Sequence, residues 1–263
     1  MRIARIRHEG TEHYATVEDE DRFDLIEGGL FGPRRASGQS VPADRATLLA
    51  PVTPPQVIAI GLNYRAHATE CGMDFPDEPV IFVKTCNTVT DPGRPILLPK
   101  IAPSEVDYEA EMVLVIGKEA KHVPEDQADA YILGYTCGND VSARDCQIKK
   151  DKQWARGKSF DTFAPIGPWI ATDLDGDNLD IRLELNGQAM QDSNTADLIF
   201  SCRHLVSFLS SCMTLYPGSI IMTGTPAGVG IGRQPPVFLK EGDVVTVEIE
   251  GIGRLTNPVE KER

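Results

Sequence analysis

Short apolar runs of the β type, each closed by a turn, follow one another along most of this chain and constrain its fold more than any other feature. They lie at Val57–Ile60, Val80–Lys84, Ile96–Leu98, Tyr108–Ile116, Ile132–Cys137, Ile166–Ala171, Ile181–Leu185, Ser219–Met222 and Val244–Glu250. Runs this short, ended by pairs such as Asn186-Gly187 and Glu241-Gly242, read as strands and hairpins. The 23 glycines and 19 prolines supply the turns that so many strands need. Helical spacing is clear only over Ser201–Met213, where Leu205, Phe208, Leu209 and Cys212 recur at three and four, with shorter pieces at Tyr64–Cys71 and Pro124–Ala130. The expected class is α+β, mainly β, with few short helices.

Residues 1–27 alternate as a small meander, and the Gly-, Pro-, Ser- and Arg-rich stretch from Gly28 to Gln56 reads as a connection that ends near Pro54-Pro55. The expected division is a small β-rich N-terminal subdomain and linker, 1–53, a lid or appendage and not the core, and a main domain, 54–263. No stretch approaches the ~18 apolar residues of a membrane span. The first residues offer no apolar leader, and the six cysteines include no C-x-x-C pair, so a cytoplasmic protein with reduced thiols is expected. Asp and Glu number 39 against 26 Lys and Arg, a formal charge of −13 that repels nucleic acid. A protein with that field that handles a small anion needs concentrated local positive charge, from a metal ion or from converging Arg and Lys.

Two familiar patterns fail. His8-Glu9-Gly10-Thr11-Glu12-His13 has one residue too many for a zinc-protease helix, and Gly228-Val229-Gly230-Ile231-Gly232 puts Arg233 where a dinucleotide fold needs its third glycine. The informative segment is Val106–Gly117, an apolar strand carrying Glu109 and Glu111. Residues two apart on a strand share a face at roughly 6.6 Å, so the two carboxylates can converge on one ion. Two like charges on an apolar strand are costly unless something neutralises them. Asp140 ends a second apolar strand, Tyr131–Asp140, and three oxygen donors without clustered His or Cys suit Mg²⁺, Mn²⁺ or Ca²⁺ better than zinc. Arg144, Gln147, Trp154, Arg156 and Lys158 follow as local polar and positive groups. His67 and Glu70, three apart on a short helix, allow the carboxylate to orient the imidazole.

From about Val57 onward the chain resembles the fumarylacetoacetate hydrolase superfamily. The resemblance rests on Gly61-Leu62-Asn63-Tyr64 with His67 and Glu70, on Asp107-Tyr108-Glu109-Ala110-Glu111 and on Asn139-Asp140-Val141-Ser142-Ala143-Arg144-Asp145. It also rests on Gly157-Lys158-Ser159-Phe160-Asp161 with Pro165-Ile166-Gly167-Pro168, and on Thr223-Gly224-Thr225-Pro226-Ala227-Gly228-Val229-Gly230. It implies a mixed β-sandwich roll, usually a homodimer. It further implies Glu109, Glu111 and Asp140 as Mg²⁺ ligands and His67 with Glu70 as a catalytic dyad on a lid. Lys158 is then the stabiliser of developing negative charge, with Tyr64, Arg144, Gln147 and Thr225 against the substrate.

The function expected on these grounds is Mg²⁺-dependent hydrolysis of a C–C bond in a small anionic 2,4-dioxo acid, an acylpyruvate such as fumarylpyruvate, through a metal-bound enolate, in the catabolism of aromatic or related compounds. The same enolate would serve an isomerase of the 5-carboxymethyl-2-hydroxymuconate or 2-hydroxyhepta-2,4-diene-1,7-dioate type, or a decarboxylase of oxaloacetate. A non-catalytic metal-binding module is the alternative of another class.

Overall fold

The computed structural model describes residues 1–263. Its largest sheet has 12 strands, and Ala110–Ile116 runs through the middle between Ile132–Asn139 and Ile220–Met222. Val57–Gly61 and Val80–Lys84 complete one side, while Ala164–Ala171 joins the other. A second sheet of five strands orders Gln188–Asn194, Asp180–Leu185, Val244–Ile249, Gly253–Lys261 and Ile96–Leu98, and a short ladder pairs Val106–Asp107 with Ser142–Ala143. The architecture is mainly β, as expected, with the largest core cluster packed between the two large sheets.

The central strand shows why its sequence is apolar without alternation. Met112, Leu114 and Ile116 point into the core shared with the second sheet, and Val113 and Val115 into another cluster with Ile166, Ile170 and Met222. A strand buried on both faces has no polar face to display. Its N-terminal end is the exception, and there the charged residues sit.

Several expectations change. Tyr108 and Glu109 interrupt the strand expected over Tyr108–Ile116, so Glu109 stands just outside the ladder that contains Glu111. The N-terminal meander is built into the main sheet and is no separate lid or appendage: Arg2 and Ile3 pair with Ala171 and Ile170, and Ile6, Phe23 and Leu25 cluster with Trp169. The stretch from Gly28 to Gln56 contains strands Arg35–Pro42 and Thr47–Leu49. Arg35–Pro42 is an edge strand with one buried residue, Val41, so it has no apolar pattern to betray it. The helix Cys202–Cys212 matches its prediction, capped by the Ser201 side chain, which accepts from the amide of His204. Pro124–Ala130 becomes a 3₁₀ turn set over Glu125–Tyr131.

Candidate active site

The break at Tyr108-Glu109 is held by side chains where the ladder would otherwise hold it. The Glu109 amide donates to Asn139 Oδ1 at 3.0 Å, the Ala110 amide to Gln191 Oε1 at 2.8 Å, and the Asp140 amide to the Glu109 carbonyl at 2.9 Å. These bonds bring Glu109, Glu111 and Asp140 together with one oxygen of each inside 4.8 Å of the others. All three are buried.

Their partners are unequal. Lys158 Nζ lies 2.7 Å from Glu109 Oε2 and 2.6 Å from Asp140 Oδ2. Arg144 Nη2 lies 2.6 Å from Glu109 Oε1, and Lys84 Nζ pairs with Asp140 Oδ1. Glu111 accepts one backbone bond, from the Gly224 amide at 2.8 Å, and meets no basic group. Burial, and then the charges of Asp140 and Glu109, therefore push the Glu111 carboxyl far above the ordinary range. Burial also acts on Glu109, but Lys158 and Arg144 outweigh it and hold that carboxyl below its usual value.

A hard divalent ion fits this donor set. Every donor is a carboxylate oxygen, and the buried carboxylate that lacks a counter-charge is the one an ion would answer. Mg²⁺, Mn²⁺ or Ca²⁺ is consistent with the chemistry.

His67 and Glu70 lie on the helix Arg65–Glu70. Glu70 Oε2 is 3.0 Å from His67 Nδ1, and its Oε1 accepts from the Gly228 amide at 2.9 Å, so one carboxylate aims the imidazole and ties the helix to the glycine-rich loop. Burial lowers the imidazole's proton affinity. The contacts with Cys71 and Glu70 and the charge of Glu109 more than offset it, raising the pKa to about 9. The Glu109 contribution fades once a cation neutralises the carboxylates.

Two glycines let the backbone approach the acids. Gly224 has φ +104°, and a Cβ there would come within 2.8 Å of Asn63 Cβ, displacing the amide that serves Glu111. At Gly230 a Cβ would meet the Val237 carbonyl at 1.9 Å and Asp107 Oδ1 at 2.5 Å.

A cavity of about 240 Å³ opens onto this cluster. His67, Glu109, Glu111, Asp140, Arg144, Gln147, Lys158 and Thr225 line it, so eight of the ten expected site residues converge. Glu70 stands behind His67. Tyr64, expected against the substrate, is fully buried with its hydroxyl unpartnered and does not reach the cavity. Thr225 accepts from Gln191 Nε2 at 2.8 Å.

Sequence reading missed Lys84, Gln191 and the role of Asp107. Asp107 accepts from Arg144 Nε at 2.8 Å and from the Gly230 and Ile231 amides at 2.8 and 2.9 Å, fixing the guanidinium. Its signal was an acid at the start of an apolar strand; for Lys84 it was a lysine at the end of one.

The family model described as fumarylacetoacetate (FAA) hydrolase C-terminal matches residues 56–260, and one described as Rv2993c-like, N-terminal, matches residues 1–51. The chain is 47% identical over 218 residues to the mitochondrial oxaloacetate tautomerase of Xenopus laevis, covering 81% of this chain and 68% of that protein. Among solved structures, 5-carboxymethyl-2-hydroxymuconate delta-isomerase from Mycobacterium smegmatis superposes with a TM-score of 0.90 at 44% identity, over 100% of both chains. Fumarylacetoacetate hydrolase from Exiguobacterium antarcticum does so with a TM-score of 0.90 at 33% identity, again over 100% of both chains.

Proposed function

The chain belongs to the fumarylacetoacetate hydrolase family and is an enzyme, and from that premise we propose that it enolises a small 2-oxo acid, moving a proton between carbon and oxygen with the help of a divalent cation. The observation that carries this reading is the placement of the Glu109, Glu111 and Asp140 cluster and the His67–Glu70 pair on one small cavity. The relatives named as a tautomerase and an isomerase perform chemistry of this class.

Glu109, Glu111 and Asp140 would hold the cation, which when bound supplies a Lewis acid for the 2-oxo group. Lys158 and Arg144, fixed by buried carboxylates, set positive charge where the substrate gains negative charge, in surroundings poor in water. Glu70 holds Nδ1 of His67, which leaves Nε2 as the atom that takes a proton from the carbon beside the oxo group and returns it. Gln147, bonded to Arg144 Nη1 at 2.9 Å, orients the guanidinium side of the cavity.

Hydrolysis of an acylpyruvate, the reading from sequence, is the second reading. The cavity holds several times the ~30 Å³ of a water molecule. A water beside a small acid could then meet the same imidazole. Proton NMR in D₂O separates the two on a panel of 2-oxo and 2,4-dioxo acids, with Mg²⁺ or Mn²⁺ and with EDTA. Enzyme-dependent exchange at C3 without cleavage supports enolisation, and stoichiometric pyruvate from an acylpyruvate supports hydrolysis. CO₂ from oxaloacetate marks decarboxylation. Exchange no faster than in a His67→Ala sample would sink the proposed reading.

A further inference from the structure

The cavity lining is of two kinds. Besides the charged cluster it includes Phe82, Trp154, Ile148, Met73, Val229 and Ile231. Phe82 touches both kinds: Lys158 Nζ sits 5.0 Å from the centre of its ring, and its edge meets Trp154 with centroids 5.4 Å apart and planes at 72°. Trp154 lies against Gly61, where a Cβ would come within 2.8 Å of the indole. Ile148 and Met73 are more than half exposed at the rim, apolar surface that a bound molecule would cover.

The Lys and Arg side chains of the lining, Lys158 and Arg144, are both held at the carboxylates. The basic residues of the neighbouring segment are turned elsewhere, Lys149 to Glu105, Lys150 to Asp145 and Arg156 to Asp151, while Arg233 is bonded to the Gly228 and Met190 carbonyls. Lys84, which pairs with Asp140 and does not line the cavity, and His67, which does, add to the positive charge at this cluster. A divalent ion would add to it, so this cluster is where a substrate carboxylate is drawn. A second carboxylate beside Trp154 and Ile148 would meet no lysine or arginine of the lining and would leave the apolar wall without an apolar partner.

We propose that Phe82, Trp154, Ile148 and Met73 form a subsite for a short hydrocarbon tail, so that this enzyme takes 2-oxo acids with one carboxylate and an apolar far end. The relatives compared above are named for substrates with two or three carboxylates, and the proposal separates this chain from them. The inference rests on the 2-oxo acid reading, and the experiment separates the two.

The probes are pyruvate, 2-oxobutyrate, 4-methyl-2-oxopentanoate and oxaloacetate. Binding to the Mg²⁺-loaded protein is read by fluorescence of Trp154 in a Trp169→Phe background, and turnover by C3 exchange. Burial of each added methylene corresponds to about fourfold tighter binding, so 4-methyl-2-oxopentanoate should bind at least tenfold more tightly than pyruvate, with oxaloacetate the weakest. Ile148→Arg, at an exposed position that does not threaten folding, should swing the ratio of oxaloacetate to 4-methyl-2-oxopentanoate affinity at least tenfold toward oxaloacetate. Oxaloacetate binding as tightly as the branched acid in the unsubstituted protein, or an unmoved ratio in the variant, overturns the apolar subsite while exchange still upholds the 2-oxo acid reading. Neither binding nor exchange with any of the four overturns both.

Discussion

Glu111 is a buried carboxyl that no cation of the chain answers, and its behaviour predicts how the protein responds to pH. A carboxyl that binds its proton more tightly when folded adds stability that is complete below the ordinary carboxylate range and is lost as pH rises through the raised value. His67 acts with the same sign: its contribution is complete below 6.5 and lost as pH rises through about 9. The metal-free protein should therefore become less stable from pH 5 to 9. Glu111→Gln should make that fall shallower and raise the midpoint at pH 8 by about 2–4 °C, the equivalent of about 1 kcal/mol for a chain of this size. A Glu111→Gln melting curve with the same pH slope as the unsubstituted protein would show that the carboxyl is ionised and satisfied in some other way. At His67 the expected loss is in turnover: His67→Ala should lower kcat by about 10²–10⁴ with Mg²⁺ affinity, measured by calorimetry, unchanged. The acids were legible in the sequence because charges on apolar strands must be neutralised. Lys84 was not, because a lysine ending a strand is ordinary and the residue that explains it, Asp140, lies 56 positions away.

Elements built on apolar periodicity were readable and those at polar edges were not. The helix Cys202–Cys212 was set by its apolar stripe and by Ser201, whereas Arg35–Pro42 and Gln188–Asn194 are edge strands that bury little and carry no stripe. The break at Tyr108-Glu109 was hidden for a different reason. Asn139 and Gln191, which capture the freed amides, come from other parts of the chain. Ser201→Ala removes one cap and should cost about 1 kcal/mol, read as a lower denaturant midpoint with kcat unchanged. The glycine-rich loop differs, since its backbone amides serve the acids directly. Gly224→Ala should perturb the Glu111 bond and weaken Mg²⁺ at least tenfold. Mg²⁺ affinity equal to that of the unsubstituted protein in a folded Gly224→Ala variant would show that the loop adjusts without moving its amide.

At the scale of the molecule, the N-terminal strands are part of the main sheet, which the sequence concealed because Arg2 and Ile3 find their register on residues 169 and 167 positions later. Periodicity identifies a strand but not its neighbour. The pairing means that residues 1–53 cover an edge: Ala164–Ala171 is bonded to Ile132–Asn139 on one side and needs Arg2–His8 on the other. Removing residues 1–53 would uncover that edge together with Trp169 and Ile170, apolar side chains now packed against Ile6 and Ile3 in their respective clusters. An unpaired edge flanked by exposed apolar surface is a template for association. The shortened chain 54–263 should therefore elute in size-exclusion chromatography as a broad aggregate, or, where it remains soluble, melt more than 5 °C below the full chain. Its site residues all lie in the part that remains, so any soluble fraction should still bind Mg²⁺. A truncated protein that elutes as sharply as the full chain and melts at the same temperature would mean that the N-terminal pairing adds nothing to the main sheet.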